Sequence, residues 1–302
     1  MGVIRSTRSN APEVAKGVQD KCIESDNAIV LNSLYFLYSQ KTIMKIKAIF
    51  FDIDGTLVSF KTHAIPQSTL DAVHRIREKG VKVFIATGRP MPFIRNLIGL
   101  EYDGIMSVNG ASCVTADGKA ICNRPVPKED IKRVIADAEK HPMPIAFTSN
   151  DKAIVCNMEA AMDKFKEVFT LLDIPLPKST LITEALNMDV MQMVAFFDKD
   201  EEPRIMRDVM KECDANRWHP YFADCIAKGT NKATGIDEIC KYYGIGISET
   251  MAFGDGGNDI AMLKHAGVGV AMGNASDEVK ACADMVTDSV DNDGIAKILN
   301  VM

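Results

Sequence analysis

Phe50-Phe51-Asp52-Ile53-Asp54-Gly55-Thr56 is the stretch on which the reading of the fold depends. It closes an apolar run, Ile46 to Phe51, of the kind that forms a strand buried on both faces. Alternate residues of an extended chain share a face, so Asp52 and Asp54 can point into one site. Two carboxylates held that close repel unless a cation or a proton lies between them. Gly55 permits a turn that other residues resist, and the Thr56 hydroxyl can bond the backbone of that turn. Taken alone, the stretch also reads as a strand that ends in an acidic turn. Partners elsewhere in the chain decide between the two.

On the C-terminal side the pattern becomes strand–helix–strand. Leu70, Val73 and Ile76 predict a helix over 67–79, after Pro66 and before Gly80. Val81 to Ala86 predicts a second buried strand, which ends in Thr87-Gly88-Arg89-Pro90, with a helix from about Met91. Ile105 to Val108 predicts a third strand. The runs 113–115 and 120–122 flank Asp117-Gly118, a hairpin signal. Strands alternating with helices imply an α/β fold with a doubly wound parallel sheet.

The character of the chain changes near Arg124-Pro125-Val126-Pro127. Residues 125–221 carry their own elements and predict a smaller inserted α+β domain. Its expected helices are 128–141, 160–172 and 202–214, and its expected strands are 145–148, 153–157 and 190–197. The doubly wound pattern resumes at 222. A helix over 231–243 opens with Lys232, and a strand over 250–253 runs into Gly254-Asp255-Gly256-Gly257-Asn258-Asp259. Further strands are expected at 268–271 and 285–287, with helices from 260, 276 and 294. The core is therefore expected to be 44–124 plus 222–302. Residues 1–43 lack a clear period and read as an extension outside the core, with Met44 as an alternative start.

Composition narrows the function. The chain has 302 residues, a formal net charge of −6, and 47% hydrophobic and 25% charged residues. This is ordinary for a globular protein, and neither nucleic acid nor an anionic membrane is an expected partner. The apolar stretch 28–38 is too short to span a bilayer as a helix. Eight scattered cysteines without a CxxC pair, and five histidines without HExxH, give no zinc or thiol-redox motif. They read as reduced, mostly buried thiols of a cytoplasmic protein.

Four features share one position, at strand ends or helix starts beside the sheet, where open parallel sheets form sites. They are Asp52 with Asp54; Thr87 with Gly88; Lys232 at a helix N-terminus; and Asp255 with Asn258 and Asp259. Singly, each has an ordinary reading, such as a turn-forming Asp255, a solvated Lys232 or an N-capping Thr87. Jointly they suit phosphoryl transfer. Carboxylates hold a hard cation such as Mg²⁺, while Thr87, Gly88 and Lys232 offer donors and positive charge to phosphate oxygens. One carboxylate can act as nucleophile.

The order and spacing of these motifs resemble the haloacid dehalogenase superfamily, over about residues 45–302. Asp52-Ile53-Asp54-Gly55-Thr56 matches its first motif, Thr87 its second, Lys232 its third, and Gly254 to Asp259 its fourth. The insert, together with Val108-Asn109-Gly110-Ala111, looks most like the Cof-type branch with a type IIB cap. The resemblance implies Asp52 as nucleophile and metal ligand. It implies Asp54 as acid and base, with its backbone carbonyl on the metal, and Asp255 as a further ligand. Asp259 would stand behind the ligands. Thr87, Gly88, Lys232 and Asn258 would hold the phosphoryl group. The activity implied is Mg²⁺-dependent hydrolysis of small phosphorylated metabolites, sugar phosphates first and flavin or cofactor phosphates second, with a phosphomutase as the alternative. Within the insert, Asp151, Trp218, His219 and Tyr221 could face the leaving group or simply pack. Arg89 could reach the leaving group or serve as an ion-pair residue.

Overall fold

A computed structural model describes residues 46–94, 97–171 and 178–302. Contacts divide the chain into Lys47–Asn300 and a second unit of Met1–Ile46 with Val301–Met302. The second unit falls almost wholly outside the described residues, as do the expectations for 1–43 and for a start at Met44.

The larger unit holds two sheets. Along the chain, the strands of the main sheet are β1 (Ala48–Phe51), β2 (Lys82–Ala86), β3 (Gly104–Ser107), β4 (Ser112–Thr115) and β5 (Ala120–Asn123). Those of the smaller sheet are β6 (Ile145–Thr148), β7 (Ala153–Cys156), β8 (Gln192–Ala195), β9 (Cys213–His219) and β10 (Phe222–Ala227). The main sheet is then completed by β11 (Thr250–Gly254), β12 (Val268–Ala271) and β13 (Met285–Val286). Its order is β13-β12-β11-β1-β2-β3-β4-β5. Pairing is parallel from β13 through β3 and antiparallel in the β3-β4-β5 edge.

β1 lies at the middle of this order because all four of its residues are fully buried. Phe50 stacks on Phe84 at 5.1 Å and Phe51 on Phe253 at 5.0 Å, which fastens β1 to both neighbours. Each buried ring contributes about 1.5–3 kcal/mol. Register sets Phe51 opposite Ile85 on β2 and opposite Phe253 on β11. Asp52, Thr87 and Asp255 therefore follow the same edge of three adjacent strands, the C-terminal edge.

The helix Lys232–Tyr243 is fixed at both ends. Asn231 accepts from Ala233 and Thr234 amides in a capping box with Thr234, and Gly244 closes the other end with φ 67°. Such a cap contributes about 1 kcal/mol and sets the start of the helix at Lys232. Ile236, Ile239 and Cys240 pack on Phe50, Phe84 and Met106, so the helix lies against the sheet.

The smaller sheet has the order β7-β6-β8-β10-β9 and is antiparallel. Ile145, Phe147, Met193, Ala195, Ala223 and Cys225 face Ile131, Val134 and Val209 in its own core. Phe222–Ala227, expected in the main core, is thus a strand of the smaller sheet. Its alternate residues Ala223 and Cys225 fill that second core, and it pairs with β8 on one side and β9 on the other.

Two helices differ from expectation. The pattern over 202–214 yields only Glu202–Arg204 and a wide turn, Ile205–Val209. The chain is caught there by the helix Lys128–Ala138: Arg133 Nε donates to the Val209 carbonyl at 2.9 Å, and buried Asp130 accepts the Glu212 amide at 2.9 Å. Near Met91 only a short turn forms, Met91–Phe93, which stops where Ile94 becomes extended at φ −78° and ψ 110°. Seven cysteines fall among the described residues and none is paired; five of them are buried. No helix among the described residues is long and apolar enough to cross a membrane.

Candidate active site

The apolar strand β1 delivers Asp52 to its C-terminal edge, and Lys232 arrives beside it from the capped helix. Lys232 Nζ lies 2.6 Å from Asp52 Oδ1 and 2.5 Å from Asp259 Oδ1, and its side chain is wholly buried. An ammonium enclosed this way is tenable only because two carboxylates face it. Asp259 is used on both sides, since its other oxygen accepts the amides of Asp255 at 2.9 Å and Gly256 at 2.8 Å. It therefore shapes the Gly-rich loop that presents Asp255.

Asp255 turns toward the acidic turn after β1. Thr56 Oγ1 donates to its Oδ1 at 2.7 Å, and Asn274 Nδ2 donates to its Oδ2 at 3.0 Å. Gly55 has φ +83°, and a Cβ there would come within 2.2 Å of Asp255 Oδ2. Only glycine allows both that backbone angle and that approach.

Asp54 points elsewhere. Its carboxylate takes both Arg89 Nε, at 2.8 Å, and Arg89 Nη2 in a two-pronged pair. The Thr87 hydroxyl accepts the Arg89 amide at 3.0 Å and is itself buried. Asn258 Nδ2 donates to Asn109 Oδ1 at 3.0 Å. A Cβ on Gly88 would lie 3.2 Å from Asn109 Oδ1 and 3.4 Å from Asn258 Nδ2, so these three residues adjoin.

Electrostatics follow from the burial. Burial pushes the Asp52 carboxyl up to about 8, against the downward pull of Lys232, with Asp259 and Asp255 adding to the rise. Burial also lifts Asp255 to about 6, opposed by the Thr56 hydrogen bond. Burial alone would lower Lys232, but Asp259 and Asp52 hold it well above its ordinary value. Oxygens of Asp52, Asp255 and Asp259 lie within 4.8 Å of one another. Once ionised, three carboxylates against one ammonium would leave two negative charges in excess, a donor set of hard oxygens that fits a divalent cation. Asp52 and Asp255 could hold it directly, whereas one Asp259 oxygen bonds the Lys232 ammonium and the other already accepts two backbone amides.

The structure thus gathers Asp52, Asp255, Asp259 and Lys232 into one cluster and sets Asp54 beside it in a pair with Arg89. Thr87, Gly88 and Asn258 stand at neighbouring strand and loop ends. Of the insert residues, Asp151 bonds Ser149 at 2.5 Å, and His219 stacks on Phe222 at 5.0 Å. Tyr221 lines a cavity of about 390 Å³ with Lys164, Phe196 and Arg204. The Trp218 side chain lies outside the described residues. Sequence reasoning missed Asn274 and the hydrogen bond of Asn109 to Asn258. The signal for Asn274 was its place just after β12, at the same sheet edge as Asp255.

Comparison with known proteins agrees with this geometry. Residues 49–299 match the haloacid dehalogenase-like hydrolase family. The chain is 37% identical over 258 residues to the putative phosphatase YkrA of Bacillus subtilis, covering 84% of this chain and 96% of that protein. It is 30% identical to a B. subtilis 5-amino-6-(5-phospho-D-ribitylamino)uracil phosphatase, YitU, covering 82% and 94%. Among solved structures it is similar to the phosphatase BT1666 of Bacteroides thetaiotaomicron, at 38% identity and a TM-score of 0.78, covering 85% and 96%. It is also similar to the HAD subclass IIB sugar phosphatase BT4131, at 43% identity and a TM-score of 0.73, covering 85% and 100%. The chain therefore belongs to the haloacid dehalogenase-like hydrolase family, among the enzymes that hydrolyse phosphate esters.

Proposed function

We propose that the enzyme is a Mg²⁺-dependent phosphatase of small phosphorylated metabolites, sugar phosphates first, and that it acts through a phosphorylated Asp52. An Asp52 carboxylate oxygen attacks phosphorus, and the bond from phosphorus to the ester oxygen breaks. Asp54 gives its proton to that oxygen. Water then attacks the phosphorus of the aspartyl-phosphate, Asp54 takes its proton, and inorganic phosphate leaves. Thr87, the Gly88 amide, Asn258 and Lys232 hold the phosphoryl oxygens. Mg²⁺, held by Asp52, Asp255 and the Asp54 carbonyl, would supply charge neutralisation for the phosphoryl group. Residues 125–227, the expected insert extended through β10, are read as the cap that selects the leaving group.

The observation that carries the reading is the wholly buried Lys232 ammonium 2.6 Å from Asp52. It offsets the charge that would otherwise keep a phosphate away from an anionic nucleophile. The likeness to a sugar phosphatase at 43% identity supports the substrate class. A second reading, an aminouracil ribityl phosphate, is favoured by the 30% identity to YitU. A phosphate-release screen over phosphorylated sugars and cofactors, in Mg²⁺ and then in chelator, tests these readings. Activity that survives chelation would sink the metal role. An isomerised ester in place of free phosphate would mark a phosphomutase.

A further inference from the structure

We infer that Asn274 is a positioning residue of the metal site, holding the Asp255 carboxylate in the orientation that a divalent cation needs. This rests on the reading of Asp52 and Asp255 as metal ligands. The side-chain amide of Asn274 is used on three sides. Nδ2 donates to Asp255 Oδ2 at 3.0 Å and to the Gly55 carbonyl at 2.9 Å, while Oδ1 accepts the Val290 amide at 3.2 Å. Both donor contacts are to oxygens and the acceptor contact is to an N–H, so one orientation of the amide serves all three.

The effect is to clamp two segments of the site together. The carbonyl of Gly55 belongs to the turn that carries Asp54, and Asp255 belongs to the loop after β11. Asn274 bridges them from the loop after β12. Thr56 Oγ1 occupies the other Asp255 oxygen at 2.7 Å. Each carboxylate oxygen thus accepts one fixed donor and keeps a lone pair for a cation. Partners of this kind set ligand direction, and their loss typically costs about 10–100-fold in metal affinity.

The clamp is itself anchored. Val290 precedes Asp291, whose carboxylate accepts from Ser59 Oγ at 2.6 Å and pairs with Lys61 at 2.8 Å. The strap from Asp255 through Asn274 therefore ends on the loop that follows the catalytic turn. A plain loop-forming role for Asn274 would account for the Val290 contact alone. It would not account for two donor contacts that converge on the acidic turn and a proposed ligand.

The test is calorimetric titration of Mg²⁺ into the chelator-treated full chain, for wild type, Asn274→Ala and Asn274→Leu, with circular dichroism showing that each variant is folded. Leu is close to Asn in size and lacks the donor without adding a charge beside Asp255. We expect both variants to bind Mg²⁺ about 10–100-fold more weakly. In turnover, the Mg²⁺ concentration for half-maximal rate should rise in step, with kcat at saturating Mg²⁺ within about twofold of wild type. Variants that bind Mg²⁺ within twofold of wild type would overturn the inference, as would a lower kcat with unchanged Mg²⁺ dependence. If wild type itself takes up no Mg²⁺, the metal reading fails, and this inference fails with it.

Discussion

The edge of the main sheet and the surface of the insert handle polar groups in opposite ways. At the edge, Asp52, Asp259 and Lys232 are buried together, so each charge depends on its neighbours. On the surface of the insert, charged groups pair in the open, as Arg207 with Asp208 and Lys164 with Asp198 do, while its buried Asp130 is held by Arg133 and the Glu212 amide. One region spends folding energy to hold charges out of water; the other leaves them solvated. Function that needs a fixed electrostatic environment belongs on the first, and contacts that can vary without loss of fold belong on the second.

The sharpest way to break this contrast is at Asp52. Asp52→Asn should lower phosphate release on the order of 10⁴-fold, with an unchanged circular dichroism spectrum, because an amide of the same size is a poor nucleophile. Near-normal turnover would remove Asp52 from the mechanism. Next comes stability. Lys232→Met leaves Asp52 and Asp259 buried without their cation and should cost about 3–5 kcal/mol in urea unfolding. Arg207→Met, which breaks the exposed insert pair with Asp208 at 2.7 Å, should cost about 1 kcal/mol or less. Equal losses would show that burial is not what separates the two regions.

A third measurement uses pH. Asp255, raised to about 6, and Asp52, raised to about 8, both carry protons at pH 5 in the metal-free protein. A cation must displace those protons, so Mg²⁺ affinity should climb from pH 5 to pH 8. The sign for stability is the reverse. With folded values above the unfolded one of 3.8, these groups stabilise the metal-free fold below about pH 4. That contribution fades as pH rises through 6 and then 8. Melting in chelator should record the fade, and Mg²⁺ should oppose it. The smallest effect is expected in the insert: Asp151→Ala should change kcat/KM by about twofold or less for every substrate in the screen. A larger change confined to one substrate would bring this turn into leaving-group selection.

The sequence made the main sheet legible because each of its buried strands is a short apolar run ended by a polar signal. Asp52, Thr87 and Asp255 each stand just past such a run, so both the fold and their shared edge could be read together. The insert was harder. β9, Cys213-Asp-Ala-Asn-Arg-Trp-His, lies at a sheet edge and lacks a clean alternation. Ile205 and Val209 fall four apart, as on a helix face, although side chains of another helix end the turn at Val209. Asn274 escaped notice for a different reason. A polar residue after Gly273 looks like any loop residue, and only the assembled sheet shows what its amide touches.

The position of β1 also has a consequence in time. Its neighbour β11 comes about 200 residues later, as the separation of 199 between Thr56 and Asp255 records. During synthesis the acidic turn is made early and waits for its partners, while the antiparallel sheet of the insert, whose strands lie within 145–227, can close first. Lys232 emerges next, then Asp255 and Asp259, and Asn274 last. The edge that gathers Asp52, Lys232 and Asp255 is therefore the late product of folding, and a nascent chain carries Asp52 and Asp54 well before their partners exist.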